Sequence, residues 1–346
     1  MIVNRLPIHM HINYDRRVRY FEYRPYNHVF IEKTKEFVEA SGQEILDLTS
    51  EKNKMLVGLH PRIFHSLVDN LAEILYLDDY FKSSKVWKGF EFILDSSGVP
   101  SSHYENDSMT FFNFLFKVLK DKNIDFNLIH SVPIKLDEYS LVDTIVYPKK
   151  SVFIKVDNCA VFKESSRQYK FDNFNTLSNL YKEYSQSSAP TKIAYLSRNF
   201  KNANYVNTER YNNEVLIEKF FKDQGCEIVI PEMFATFEEQ INYFSSVKTL
   251  IALTGSGLLN MLMMQDGSNV VEIYTPIETA SYNSGTNSRL RQISTHSLYR
   301  DIGWSKNHNY ISVKNEYKSD TMELIERLEN NSLLRSILKD NYDKKY

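Results

Sequence analysis

The sequence predicts an α/β protein of two Rossmann-like domains facing a cleft, and three observations carry that expectation. Helix-like and strand-like segments alternate between residues 50 and 150, the pattern of a parallel sheet with crossover helices. A polar break over Ser185 to Thr191, with QSSAP at its centre, separates that region from a second one. The stretch Lys248 to Pro276, KTLIALTGSGLLNMLMMQDGSNVVEIYTP, runs as strand, glycine turn, helix and strand, half of a nucleotide-binding layer.

Composition narrows the partners. At 346 residues and 42% hydrophobic content, the chain is long enough for two domains, each with its own core. A formal net charge of −2 argues against a whole-chain nucleic-acid binder and leaves room for a local basic patch. Cys159 and Cys226 are far apart and follow no metal spacing, so they read as reduced core thiols of a cytosolic protein. The opening MIVNRLPIHMHINYDRR has no signal-peptide core, and no apolar run reaches about 18 residues, so no membrane span is expected. Nine alanines and 10 glycines against 23 tyrosines and 22 phenylalanines point to AT-rich coding, as in many phages and some bacteria.

Residues 1 to about 60 read as strands, with polarity alternating over His9 to Tyr14 and Val18 to Tyr23. Arg16, Arg17 and Arg19 interleave there with Tyr14, Tyr20, Phe21 and Tyr23. Arginines among aromatics grip nucleic acids through phosphate contacts and base stacking. Alternation alone also yields a half-exposed hairpin with arginines outward and aromatics inward. Thr34 to Glu44 is too charged for a core helix and reads as a surface one. In His60 to Phe81, the residues Phe64, Leu67, Val68, Leu71, Ile74 and Leu75 follow helical spacing, which puts His65 and Asp69 four apart on one face. A carboxylate so placed orients an imidazole and raises its basicity, as a general base requires. A plain surface ion pair has the same spacing. Phe90 to Leu94, Ile129 to Pro133 and Thr144 to Tyr147 read as strands, and Phe111 to Lys122 and Asn173 to Tyr184 as helices.

Beyond the break, Ile193 to Leu196 is a strand with Ser197, Arg198 and Asn199 at its carboxyl end, where open α/β sheets bind ligands. The planar fork of Arg198 suits a diphosphate. Asn213 to Asp223 is a helix and Cys226 to Ile230 a strand. Thr236 to Phe244 is a helix opened by a capping box, Thr236 with Glu239. The buried strand Leu250 to Leu253 then runs into Thr254, Gly255, Ser256 and Gly257, followed by an apolar helix, Leu258 to Met264, whose single polar residue is Asn260. Two glycines let the backbone approach a ligand, and the first N–H groups of the helix favour a phosphate. The turn is neither GxGxxG nor a Walker loop, so nicotinamide cofactors and ATP are not the natural guess; a mere tight turn is the plain alternative. Val270 to Tyr274 is the next strand, with Glu272 placed either to accept from ribose hydroxyls or to face solvent. Tyr282 to Arg291 is a polar loop, Leu290 to Ile302 a helix with Arg291 and His296 as candidate contacts, Tyr310 to Val313 a strand and Asp320 to Asp340 an amphipathic helix.

The glycine-turn stretch closely resembles the signature of glycosyltransferase family 61, in which a strand runs into HGAGLTN, an apolar segment, PG and a strand ending in VVE. Gly255, Gly257, Leu258, Asn260, Gly267, Val271 and Glu272 fall in register with it, while Thr254 stands where the family carries His. A second family stretch, HWLxDxLPR, is matched by His65, Asp69 and Leu71, with Ser66 replacing Trp and Ala72-Glu73 replacing Pro-Arg. A third, a strand with SR followed by Arg and NE, is matched by Arg198, Arg210, Asn213 and Glu214. The resemblance is good over 192–304, patchy over 55–80 and absent from the first 50 residues.

The resemblance implies the GT-B fold, with an acceptor-side domain over 1–187, a nucleotide-sugar-binding domain over 188–315 and a C-terminal helix, 316–346, packing at the domain junction. It implies an inverting, metal-independent transferase with a nucleotide sugar, a UDP-sugar first, as co-substrate and no further cofactor; the chain has no DxD. Arg198, Asn199, Arg210, Thr254, Gly255, Ser256, Gly257, Leu258, Asn260 and Glu272 would hold the donor. His65, oriented by Asp69, would be the base, or Asp69 itself. Arg16, Arg17, Arg19, Tyr20, Arg291 and His296 are the acceptor-side candidates. The acceptor is a bacterial surface glycan or its precursor, or a hydroxymethylated pyrimidine of phage DNA. A transferase fold without catalysis is the other class, motivated by Thr254 and the altered residues near His65.

Overall fold

The structure is a computed structural model and describes residues 17–23, 31–59, 65–83, 90–95, 110–130, 144–146, 152–157, 159–161, 171–186, 189–197, 214–274, 298–314 and 321–342. The architecture is mixed α/β with parallel sheets. The chain divides into two compact units, Met1–Leu177 and Ser178–Tyr346.

In the first unit, β4 (Asn53–Gly58), β5 (Phe90–Asp95), β6 (Phe126–His130), β7 (Thr144–Val146) and β9 (Cys159–Val161) form an all-parallel sheet in the order β7-β6-β5-β4-β9. Met55, Leu56 and Val57 are buried in succession, as are Phe92, Ile93 and Leu94. Unbroken apolar runs are what a sheet covered on both faces requires. Among its helices are α2 (Ala72–Ser83), α3 (Thr110–Asp121) and α4 (Phe171–Tyr184). The division between the units falls within α4.

A second sheet joins β2 (Ile31–Lys33), β1 (Arg19–Tyr23), β8 (Val152–Val156) and β3 (Ile45–Asp47) in that order. Val152, Ile154 and Val156 alternate along β8 and pack with Phe21 against Leu56, Ile93 and Ile129 of the parallel sheet. Phe153 points the other way and meets Tyr20 and Val38 of α1 (Lys35–Ser41). The hydroxyl of Thr34 accepts from Phe37 N at 3.3 Å to start α1, and Gly42, at φ 61°, ends it. The sequence reading passed over β8 and β9, and the expected strand His9 to Tyr14 lies outside the described residues.

In the second unit, β10 (Lys192–Leu196), β11 (Glu227–Val229), β12 (Val247–Leu253), β13 (Asn269–Tyr274) and β14 (Asn309–Lys314) are parallel throughout, in the order β11-β10-β12-β13-β14. Helices α5 (Glu214–Asp223), α6 (Phe237–Ser245), α7 (298–305), α8 (Thr321–Asn330) and α9 (Ser332–Tyr342) accompany it. Half of the expected capping box forms: Thr236 Oγ1 accepts from Glu239 N at 3.1 Å, while the Glu239 carboxylate accepts from Ala235 N, the residue before the cap, at 2.8 Å. The single helix expected over Asp320 to Asp340 is two. Asn331 breaks it, its Oδ1 accepting from Leu334 N at 3.0 Å as a new N-cap. Leu324, Leu328, Leu334 and Leu338 close over Tyr195, Ile251 and Val271 of the sheet in one core. No helix among the described residues is long and apolar enough to cross a membrane.

Candidate functional site

The strand order of the second unit sets the place. The chain leaves β10 toward β11 on one side and returns to β12 on the other, so the carboxyl ends of β10 and β12 form the topological switch point. Ligands of open α/β sheets bind in the crevice there. Ser197 follows β10, and Thr254 to Gly257 follow β12. The two segments touch: a Cβ on Gly257 would lie 2.6 Å from Leu196 Cδ2, so glycine is what lets the turn approach β10.

Gly255 sits at φ 154°, ψ −174°, a conformation open essentially to glycine alone. It aims the chain into Ser256–Met263, a 3-10 helix that starts two residues ahead of the expected Leu258. Ser256 is exposed, and the N–H groups of Ser256 and Gly257 open the helix at the crevice. Leu258 is fully buried and packs inward. Asn260 is also buried: its Nδ2 donates to the Gly257 carbonyl at 2.8 Å, and its Oδ1 accepts from Gln240 Nε2 at 2.7 Å. These two side chains stiffen the turn from within; the atoms the turn offers to the crevice are its backbone and Ser256.

Glu272 is fully buried. Thr254 Oγ1 donates to its Oε1 at 2.7 Å and Tyr310 Oη to its Oε2 at 2.9 Å. Thr254 N donates to the Ile273 carbonyl at 3.0 Å, so backbone and side chain of Thr254 are both tied to β13. Neither a solvent-facing nor a ribose-facing carboxylate describes this geometry: Glu272 braces the turn from below. Burial, and then the facing carboxylate, push the Tyr310 hydroxyl far above the ordinary phenol range, so it stays a donor.

At the end of β10, Ser197 Oγ donates to Glu218 and Tyr195 Oη to Glu214 Oε1 at 2.7 Å, pinning the first two turns of α5 to the strand. Arg198, Asn199 and Arg210 lie outside the described residues, as do Arg16, Arg291 and His296.

In the first unit β4 also stands at a strand-order reversal, between β5 and β9. The chain beyond its carboxyl end enters His65–Leu71, a π-helical turn that continues into α2. Asn173 Nδ2 donates to the Val68 carbonyl at 3.2 Å, and Asn70 Nδ2 to the Gly58 carbonyl at 3.0 Å. A side chain inserted among the helix carbonyls accounts for the widened turn. Asp69 is half-buried, and positions 65 and 69 fall within one π turn.

Among the acceptor-side candidates, Arg17 is exposed and Arg19 pairs with Glu32 at 3.6 Å. Tyr20 packs with Val38 and Phe153 and is only 9% exposed at the cleft it helps to line, so little of its ring is offered for stacking. Val18, Arg19, Lys33, Lys35 and Lys155 line the same open cleft of about 600 Å³. Each cation there has a carboxylate: Glu32, Glu22, Glu39 and Asp47 respectively.

Three residues of the turn's support escaped the sequence reading: Gln240, Tyr310 and His308. His308 is buried, with Nε2 3.1 Å from the Met261 carbonyl, so that nitrogen carries the proton. Burial lowers its pKa below the usual 6.5; Met261 and Asp266 pull it up and Lys306 pushes it down. The unfolded chain therefore binds the extra proton first, and stability falls as pH drops below about 6.5. We expect the melting temperature to decline between pH 7 and pH 5, and His308→Gln, which keeps a donor for Met261, to flatten that decline in a pH-resolved melting series.

A family model described as Glycosyltransferase 61 matches residues 63–271, more than half of the chain. The match spans the π-helical turn, the end of β10 and the glycine turn, and stops one residue before Glu272. No curated protein matches.

Proposed function

This chain belongs to the glycosyltransferase 61 family and is a glycosyltransferase, and from that premise we propose an inverting, metal-independent transfer from a nucleotide sugar, a UDP-sugar first. The observation that carries the donor site is the switch point at β10 and β12, where the glycine turn packs against Leu196. The donor diphosphate meets the N–H groups of Ser256 and Gly257 and the Arg198 guanidinium, which together hold the leaving charge. Thr254 stands at the mouth of the turn, and Asn260 and Glu272 act by holding it. The acceptor hydroxyl attacks C1 opposite the diphosphate; the new C1–O bond forms as the bond to the diphosphate breaks. His65, oriented by Asp69, takes the hydroxyl proton.

In this reading the two units are the Rossmann-like halves of a GT-B enzyme. The acceptor is a surface glycan or its precursor, and the work is cytoplasmic. Burial of Tyr20 removes one support for a DNA acceptor, and the paired cations around Arg19 remove another. The test is a thermal-shift panel of UDP-, GDP-, CMP- and dTDP-sugars with and without EDTA, because a ligand of the folded state alone raises the melting temperature. One nucleotide class should shift it, EDTA should change nothing, and Arg198→Ala should abolish the shift. Silence across the panel would sink the donor site; an EDTA-sensitive shift would sink metal independence.

A further inference from the structure

We propose that Tyr310 is a positioning residue of the donor site, acting through Glu272 on Thr254 and the glycine turn. The proposal rests on the donor-site reading above. Tyr310 pairs with Val270 in the β13–β14 register, which places it diagonally beside Glu272 on the same sheet face. Its hydroxyl reaches Glu272 Oε2 at 2.9 Å, and the other oxygen of that carboxylate receives Thr254 Oγ1 at 2.7 Å. The ring is held from a second direction. Gly303 of α7 lies so close that a Cβ there would come within 2.5 Å of Tyr310 Cδ2. With the ring confined and the carboxylate fully buried, the Thr254 hydroxyl proton is directed at Glu272. Thr254 precedes Gly255, whose conformation aims the N–H groups of the turn.

A residue that merely fills the core would change stability when trimmed and leave ligand affinity alone. A positioning residue changes donor affinity, and does so through its partner. The experiment compares wild type, Tyr310→Phe, Thr254→Val and the double variant. Donor Kd is measured by calorimetry with the nucleotide sugar found in the panel, and KM and kcat with the same donor. Tyr310→Phe should raise Kd and KM about tenfold, the effect of losing a hydrogen bond to a charged group, with kcat within about threefold. The double variant should bind no worse than Thr254→Val alone, since both changes act through one carboxylate. An unchanged Kd in Tyr310→Phe, or effects that multiply, would overturn the proposal. If Tyr310→Phe does not fold, Gly303→Ala presses on the same ring, and unchanged affinity in that variant overturns the proposal equally. A wild type that binds no donor overturns the donor reading and this proposal together; unaltered binding in Tyr310→Phe overturns this proposal alone.

Discussion

Gly255→Ala is expected to remove nucleotide-sugar binding and turnover together. At φ 154°, ψ −174° a side chain is strained, at a cost on the order of 1–3 kcal/mol. The chain has an easy escape, which is to rotate that peptide toward an ordinary conformation. The rotation swings the N–H groups of Ser256 and Gly257 away from the crevice, and displacements of about 1 Å at such a site cost on the order of a hundredfold. We expect kcat/KM to fall by about two orders of magnitude or more, while the melting temperature drops by only a few degrees. Circular dichroism melting alongside donor calorimetry checks both. A variant with native affinity would show that the turn's conformation is not what the ligand reads.

Glu272→Leu should destabilise the second unit markedly. It takes from two half-buried hydroxyls, Thr254 and Tyr310, the acceptor they now share. Each stranded donor costs about 1–3 kcal/mol, so the pair costs about 3 kcal/mol or more. In a unit of this size that lowers the melting temperature by roughly 6–12 °C. Glu272→Gln should lose about a third as much: the amide still accepts from one hydroxyl, and the other can turn to accept from its NH₂. Urea melts of the two variants decide it; equal losses would mean that charge, and not the two hydrogen bonds, is what matters there.

Local pattern was enough to read the centre of the second unit. The apolar run ahead of Thr254 is β12, the run after Gly267 is β13, and the two glycines perform two separate tasks, conformation at Gly255 and close approach at Gly257. The Thr236 cap was legible because Glu239, whose N–H it accepts, is three residues away. Tyr310 was not legible, because it meets Glu272 only through the register of two neighbouring strands. Asn260 was expected at the donor because it falls in register with the family signature, and the signature does not say which way the side chain turns. Its partner, Gln240, sits on another helix, and nothing between them in the chain announces the pair. The π-helical turn at His65 was hidden for the same reason: the Asn173 side chain that enters it comes from α4. Strand β8 was passed over although its residues alternate, since Lys155 interrupts a short run that only a sheet on each face makes intelligible.

The pairing of β1 with β8 has a kinetic consequence. Arg19 lies opposite Val156, and Tyr23 opposite Val152. During synthesis, Phe21 must wait, with its apolar neighbours, until nearly all of the first unit has left the ribosome. Contacts so distant along the chain make for slow closure, and the waiting segment is exposed to wrong pairing meanwhile. The edge of β1 finds β2 early, a short antiparallel partner only a few residues downstream. That hairpin can shelter one edge of the strand through the interval, leaving a single edge to be captured when β8 arrives.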